Sequence, residues 1–309
     1  MKLAIETDNL TKTYGNPKNL DSVKAVQGLT MEVPSGAVFG FLGPNGAGKT
    51  TTIYLLLGIL KPTSGKGKLL GRPLGDPRGK GKLGFLPESV NLHLHHTGIS
   101  LLNYYGELLN INPVRRKERI HEVLEQVGLK ESGNKFITTY SKGMVQRLGI
   151  AQALLNEPDL LILDEPTANL DPIGRKEVKD LLINIREAGK TIFISSHILS
   201  DVESLCDRVC ILKGGKIIRA GTMEELNTNK GVIEIRTKNL PEEAGQKITG
   251  LGAEIETKSD ENLILIKNKE QEFGIIEIIR QFECPLISIS EQKNTLEEIF
   301  YTAVKGENP

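Results

Sequence analysis

Uninterrupted apolar runs recur along this chain, and stretches whose apolar residues return every third or fourth position lie between them. AVFGFL (Ala37 to Leu42), DLLILDEP and TIFISSH lack the alternation of a half-exposed strand, so each predicts a strand buried on both faces, as in a parallel sheet. A helix follows the first of them, from about Thr50 to a stop before Pro62. GRKEVKDLLINIREAGK puts Val178, Leu181, Leu182 and Ile185 on one stripe and ends near Gly189, which predicts an amphipathic helix between the other two strands. Strands alternating with helices predict an α/β core.

Two interruptions break that rhythm. From about Gly98 to Leu155 only the helical period persists, as in ERIHEVLEQVGL, which predicts a helical insertion (98–155) within a main domain of residues 1–225. After RAGTMEELNTNKG the pattern changes again: VIEIRT, NLPEEAGQKI, AEIET, LILIK, EQEFGIIEIIRQF and PLISIS read β-α-β-β-α-β. That order predicts a small α+β domain over 231–309 whose alternating Ile and Leu build its core. TLEEIF adds a capping box from Thr295 to Glu298.

Composition narrows the picture by exclusion. Lys+Arg and Asp+Glu number 39 each among 309 residues, so net charge gives no basis for broad nucleic-acid or anionic-membrane binding. The basic, Gly-rich stretch from Lys61 to Lys82 lacks the interleaved aromatics of a stacking platform and reads as solvated loops and hairpin edges. Three cysteines, Cys206, Cys210 and Cys284, are too few for a disulfide framework, which points to a reducing compartment, the cytosol. The N-terminus has no leader pattern, and no segment approaches ~18 uninterrupted apolar residues. The histidines of HLHH (His93, His95, His96) lack a further ligand at metal spacing and read as surface or interface residues.

The candidate chemistry begins with GPNGAGKTT, Gly43 to Thr51, which matches G-x-x-x-x-G-K-[ST] in full through Gly43, Gly48, Lys49 and Thr50. The span Gly43, Pro44, Asn45, Gly46, Ala47 and Gly48 turns backbone N–H groups toward phosphate oxygens, and the following helix adds its positive end. Lys49 neutralises the β- and γ-phosphates, and the Thr50 hydroxyl is a Mg²⁺ ligand. Asp164 ends LLILD at the sheet edge where ligands of open α/β sheets gather, in reach of the metal's water shell. Glu165 is placed to orient or deprotonate an attacking water, and His197, closing TIFISSH, to contact the γ-phosphate or that water. Ser141 N-caps the helix of YSKGMVQRLGIAQALL, whose stripe runs through Met144, Leu148, Ala151 and Leu155; with Gly143 it forms a second phosphate cradle. One nucleotide does not need two cradles.

Together these residues resemble the nucleotide-binding subunit of ATP-binding cassette (ABC) transporters, over about Leu3 to Gly221. GPNGAGKTT is similar to that family's phosphate loop, LLILDEP to its Mg²⁺ and catalytic-glutamate strand, YSKGMVQR to its signature, ANLD with Asp171 to its D-loop, and SSH to its switch histidine. Tyr14 in LTKTYG takes the place of the aromatic that stacks on adenine. Tyr140, Lys142 and Met144 depart from the usual signature, and Glu88 stands after FLP where the family has Gln, as a further carboxylate for the metal. Both departures are like those of the bacterial export and drug-resistance branch with a short C-terminal extension. The resemblance implies a mostly parallel P-loop ATPase core with an antiparallel β subdomain, ATP and Mg²⁺ as cofactors, and Thr51 among the cofactor contacts. It also implies a homodimer, or a heterodimer with a second cassette, that sandwiches two ATP molecules and drives a polytopic membrane permease from the cytoplasmic face. A soluble cassette clamping ribosomes or DNA is the alternative. Such relatives generally carry two cassettes or a long coiled-coil insertion, and neither is visible here. A small-molecule kinase leaves the signature, D-loop and His197 without a purpose.

Overall fold

The computed structural model describes residues 2–15, 22–226, 232–258, 261–266, 271–291 and 295–305. The chain divides into two compact units, Met1–Met223 with Phe300–Pro309, and Glu224–Ile299.

In the first unit β1 (Leu3–Tyr14), β2 (Val23–Pro34), β4 (Ser64–Leu69) and β5 (Arg72–Pro73) form an antiparallel sheet of order β2-β1-β4-β5. A second sheet takes β3 (Val38–Leu42), β6 (Leu83–Leu86), β7 (Leu160–Asp164), β8 (Thr191–Ser196), β9 (Arg208–Lys213) and β10 (Lys216–Thr222) in the order β10-β9-β3-β8-β7-β6. All its pairings are parallel except β9 with β10. Every residue of β3, β7 and β8 is buried, as their unbroken apolar runs predict. Parallel register then brings the strand ends together: Leu42 lies opposite Ser196, and Asp164 opposite Ser195.

Helix α1 (Lys49–Leu56) starts one residue before the sequence expectation and buries Ile53, Leu55 and Leu56 in a core shared with β1, β2, β3, β7 and β8. Each such side chain contributes roughly 1.5–3 kcal/mol by leaving water. The short α2 (Pro77–Lys80) follows the β4–β5 hairpin, and the basic stretch around it is largely exposed. Three longer helices come next, α3 (Gly98–Leu108), α4 (Pro113–Gln126) and α5 (Lys142–Leu154), with no strand among them. The last of these packs on the sheet. A Cβ on Gly149 would stand 2.7 Å from a Leu86 methyl, and one on Gly84 2.3 Å from the Ala153 carbonyl oxygen. That packing buries α5 beyond the expected stripe and leaves Met144 half-buried. Helix α6 (Pro172–Glu187) buries Val178, Leu181, Leu182 and Ile185, the stripe its sequence predicts. It stops before Gly189, at φ +78°. Helices α7 (Leu199–Leu205) and α8 (Met223–Leu226) complete this part of the chain. Among the described residues no helix is long and apolar enough to cross a membrane.

The second unit has β11 (Ile233–Lys238), α9 (Glu242–Gly250), β12 (Glu254–Lys258), β13 (Glu261–Ile266), α10 (Gln271–Gln281) and β14 (Leu286–Glu291), with an antiparallel sheet of order β12-β13-β11-β14. This is a ferredoxin-like arrangement. Ile235, Ile264, Ile266, Ile248 and Ile275 form its core. The expectation that its alternating Ile and Leu all build a core needs correction at β14: Leu286, Ile287 and Ile289 are exposed on this edge strand. The junction expected near Gly231 lies outside the described residues. Helix α11 (Leu296–Lys305) starts on the predicted capping box, in which Glu298 N donates to Thr295 Oγ1 at 3.3 Å and Thr295 N to Glu298 Oε2 at 3.0 Å.

All three cysteines are buried. Burial pushes the Cys210 thiol up to about 12 and raises Cys206 as well. Because the thiolate is the reactive form, native protein at pH 8 should consume a disulfide-exchange reagent slowly, and all three thiols should react at once in denaturant. Rapid labelling of Cys206 or Cys210 before unfolding would contradict this packing.

Candidate functional site

The loop that leaves β3 reaches α1 through backbone that needs glycine. Gly46 and Gly48 stand at φ +78° and +104°. A Cβ on Gly48 would lie 2.3 Å from the Ala25 carbonyl oxygen, and one on Gly43 2.7 Å from that of Leu212. The loop therefore packs down on its neighbours on both sides, and the Gly215 N–H closes on Ala47 O at 2.9 Å. Helix α1 begins at Lys49 with no side chain capping it, which leaves its first-turn N–H groups for a ligand.

Lys49 is 7% exposed, and its Nζ donates to Gly43 O at 2.7 Å while standing 3.5 Å from Glu165 Oε1. Asp164, at the end of β7, is almost wholly buried and takes hydrogen bonds from the Ser195 and Thr50 hydroxyls. Burial holds its carboxyl above the usual range; the Ser195 bond opposes this, and the neighbouring carboxylates of Glu88 and Glu165 add to it. Glu165 comes next, at φ +51°, a left-handed conformation that costs a non-glycine residue roughly 1–2 kcal/mol. Its N–H is held by Ser195, through the carbonyl at 3.1 Å and the hydroxyl at 3.2 Å. Its Oε2 accepts the His197 N–H at 3.2 Å and lies 2.8 Å from His197 Nδ1. The strained backbone thus turns a buried carboxylate back between one lysine and one imidazole.

These groups line a cleft of about 470 Å³ together with Pro44–Thr51, Ala25, Glu88, Ala168 and Asn169. Among the described residues Lys49 is the one Lys or Arg along it, facing the three carboxylates of Glu88, Asp164 and Glu165. A hollow of equal size near Arg72, Arg78 and Lys190 has no loop running into a helix of this kind, so the phosphate chemistry belongs to the first.

Five sequence candidates do not line the cleft; one of them, Gly43, adjoins it through the bond from Lys49 Nζ to its carbonyl. Tyr14 is 42% exposed and does not line the cleft, whose wall on that side is Ala25. Ser141, Gly143 and Asp171 are also outside it. Ser141 Oγ accepts from Met144 N at 3.2 Å, as the N-cap of α5. Asp171 is the N-cap of α6, its carboxylate accepting from Gly174 N at 2.9 Å. Two contributors were missed. Ser195 is the first serine of SSH, and the hydrophobic pattern marked it only as buried; Gln146 is a lone amide on a helix and carried no signal.

The ABC transporter family model matches residues 26–168. An uncharacterised ABC transporter ATP-binding protein of Synechocystis is 37% identical over 96% of this chain and 83% of its own length. The bacitracin transport ATP-binding protein BcrA of Bacillus licheniformis is 44% identical over 71% of this chain and 69% of its own. Among solved structures, the dimeric post-hydrolysis state of the ATP-binding cassette MJ0796, bound to ADP and Pi, superposes with a TM-score of 0.62 at 25% identity, covering 71% of this chain and 98% of that one. Likeness of that extent, over a chain whose phosphate loop, buried aspartate and glutamate meet at one sheet edge, leads to one conclusion: this protein belongs to the ABC transporter family, as an ATP-binding and ATP-hydrolysing subunit.

Proposed function

We propose that two such cassettes close face to face on two ATP molecules, and that this cycle drives a polytopic membrane permease, in export. One observation carries the reading. The chain has a complete phosphate loop in its own cleft, yet Ser141 and Lys142 stand exposed outside that cleft, at a helix N-terminus capped only by the Ser141 hydroxyl. A second cradle of this kind has a purpose when it meets the nucleotide of another subunit. The MJ0796 cassette is dimeric in its post-hydrolysis state, which supports the arrangement. The BcrA relative is named for bacitracin transport, and an antibiotic handled by a dedicated transporter is a cargo to remove.

The donor set fits Mg²⁺: a hydroxyl from Thr50 and carboxylates from Asp164 and Glu88 are hard oxygen ligands around one end of the cleft. When bound there, the ion would supply positive charge against the phosphates. The remaining work falls to side chains of the chain itself. Lys49 exchanges the Gly43 carbonyl for phosphate oxygens. Glu165 orients the attacking water and takes its proton, and His197 holds the carboxylate at that angle. Tyr14 stacks on the adenine. Loss of the γ-phosphate removes the bridge between the two cradles, and the subunits part.

Co-purification from detergent-solubilised membranes tests the partner. A tagged chain is expected to bring down a polytopic membrane protein in stoichiometric amount. Recovery of ribosomal or chromosomal material in its place would favour a soluble clamp.

A further inference from the structure

Helix α5, which begins at the second cradle, is fastened at two points to the segment that carries Glu165. At the first, Gly143 faces Gly174: a Cβ on Gly143 would stand 3.6 Å from Gly174 Cα. Gly174 is also the residue whose N–H Asp171 caps, and a Cβ there would come within 2.7 Å of the capping oxygen. Cap, glycine and cradle are thus in contact. The second point lies three residues further along α5. Gln146 is 8% exposed, and its Nε2 donates to the Pro166 carbonyl at 2.8 Å. Pro166 directly follows Glu165, whose left-handed backbone is held on its other side by Ser195. A strained residue keeps its conformation only while its surroundings fix it from both directions.

We propose that Gln146 is a positioning residue: it passes the state of the Ser141–Gly143 cradle to Glu165, so that a γ-phosphate gripped from the partner's nucleotide aims the carboxylate that serves this chain's own. The inference rests on the sandwich reading above. It makes the two ATP sites interdependent through one amide–carbonyl hydrogen bond within each subunit. A shift of α5 pulls on the Pro166–Thr167 peptide, and Pro166, whose ring fixes its φ, passes the movement to Glu165.

The test compares Gln146→Met, which keeps the length of the side chain and removes the donor, with Gln146→His, which keeps an N–H at similar reach. Q146M is expected to lower kcat about tenfold and to bring the Hill coefficient for ATP to about 1, while affinity for a fluorescent ATP analogue stays unchanged. The double variant Q146M/E165Q should form the ATP-bound dimer as fully as E165Q alone, and Q146H should recover most of the lost kcat. Should Q146M not fold, Q146N, one methylene too short for Pro166, takes its place. A kcat within twofold of wild type would overturn the proposal, as would a kcat loss matched by loss of the dimer in the double variant, which is what an ordinary packing role gives. Failure of E165Q alone to form a dimer overturns the sandwich reading instead, and this inference with it.

Discussion

Glu165→Gln is expected to reduce ATP turnover by about 10²–10⁴-fold while leaving ATP binding intact or tighter. The substitution keeps volume and backbone and removes only the charge. Glu165 is 5% exposed, with Lys49 Nζ at 3.5 Å and His197 Nδ1 at 2.8 Å, so its carboxylate is the acceptor these two groups organise. An amide in that position cannot take the proton of water. Lys49, released from its counter-ion, is then freer to meet phosphate. Phosphate release at saturating ATP, alongside binding of a fluorescent analogue, separates the two effects. Turnover within twofold of wild type would take Glu165 out of the chemistry.

Lys49→Ala is expected to fail one step earlier, with ATP affinity down roughly a hundredfold and no measurable turnover. Among the described residues the cleft then presents Glu88, Asp164 and Glu165 with no lysine or arginine facing them, and a triphosphate must enter against that field. At an effective dielectric of about 20, one unit charge at 4 Å is worth roughly 4 kcal/mol, which leaves ample room for a loss of this size. The contrast between the variants is sharper than either alone: E165Q should accumulate the ATP-bound dimer, and K49A should form none. Titration of a fluorescent ATP analogue checks the binding arm. Affinity within threefold of wild type would mean that the backbone N–H groups of the loop hold the phosphates without Lys49.

The cleft was legible because its parts sit on strongly patterned elements. β3, β7 and β8 are short, largely apolar runs without alternation, the pattern of strands buried on both faces, and parallel pairing brings their C-terminal ends, with Gly43, Asp164 and His197, onto one edge. The glycine loop is legible for the same reason, since Gly48 stands where a Cβ would strike Ala25. Side-chain use at helix starts is a different matter. A family motif gives the place of Asp171 but not its hydrogen bonds, and only the fold shows its carboxylate capping the first turn of α6. Ser195 and Gln146 escaped notice because a buried serine or amide leaves no periodic trace; what they hold, the Glu165 N–H and the Pro166 carbonyl, is visible only in three dimensions. At β14 the apolar alternation promised a buried face, and the edge position leaves Leu286, Ile287 and Ile289 exposed.

Light scattering of the E165Q variant, with and without ATP and Mg²⁺, tests the account where it is most exposed. The scattering mass is expected to move from that of one 33.9 kDa chain to twice that value when nucleotide is added, and to return on its removal. A mass that stays at one chain under saturating ATP, alone and with the membrane partner present, would contradict it.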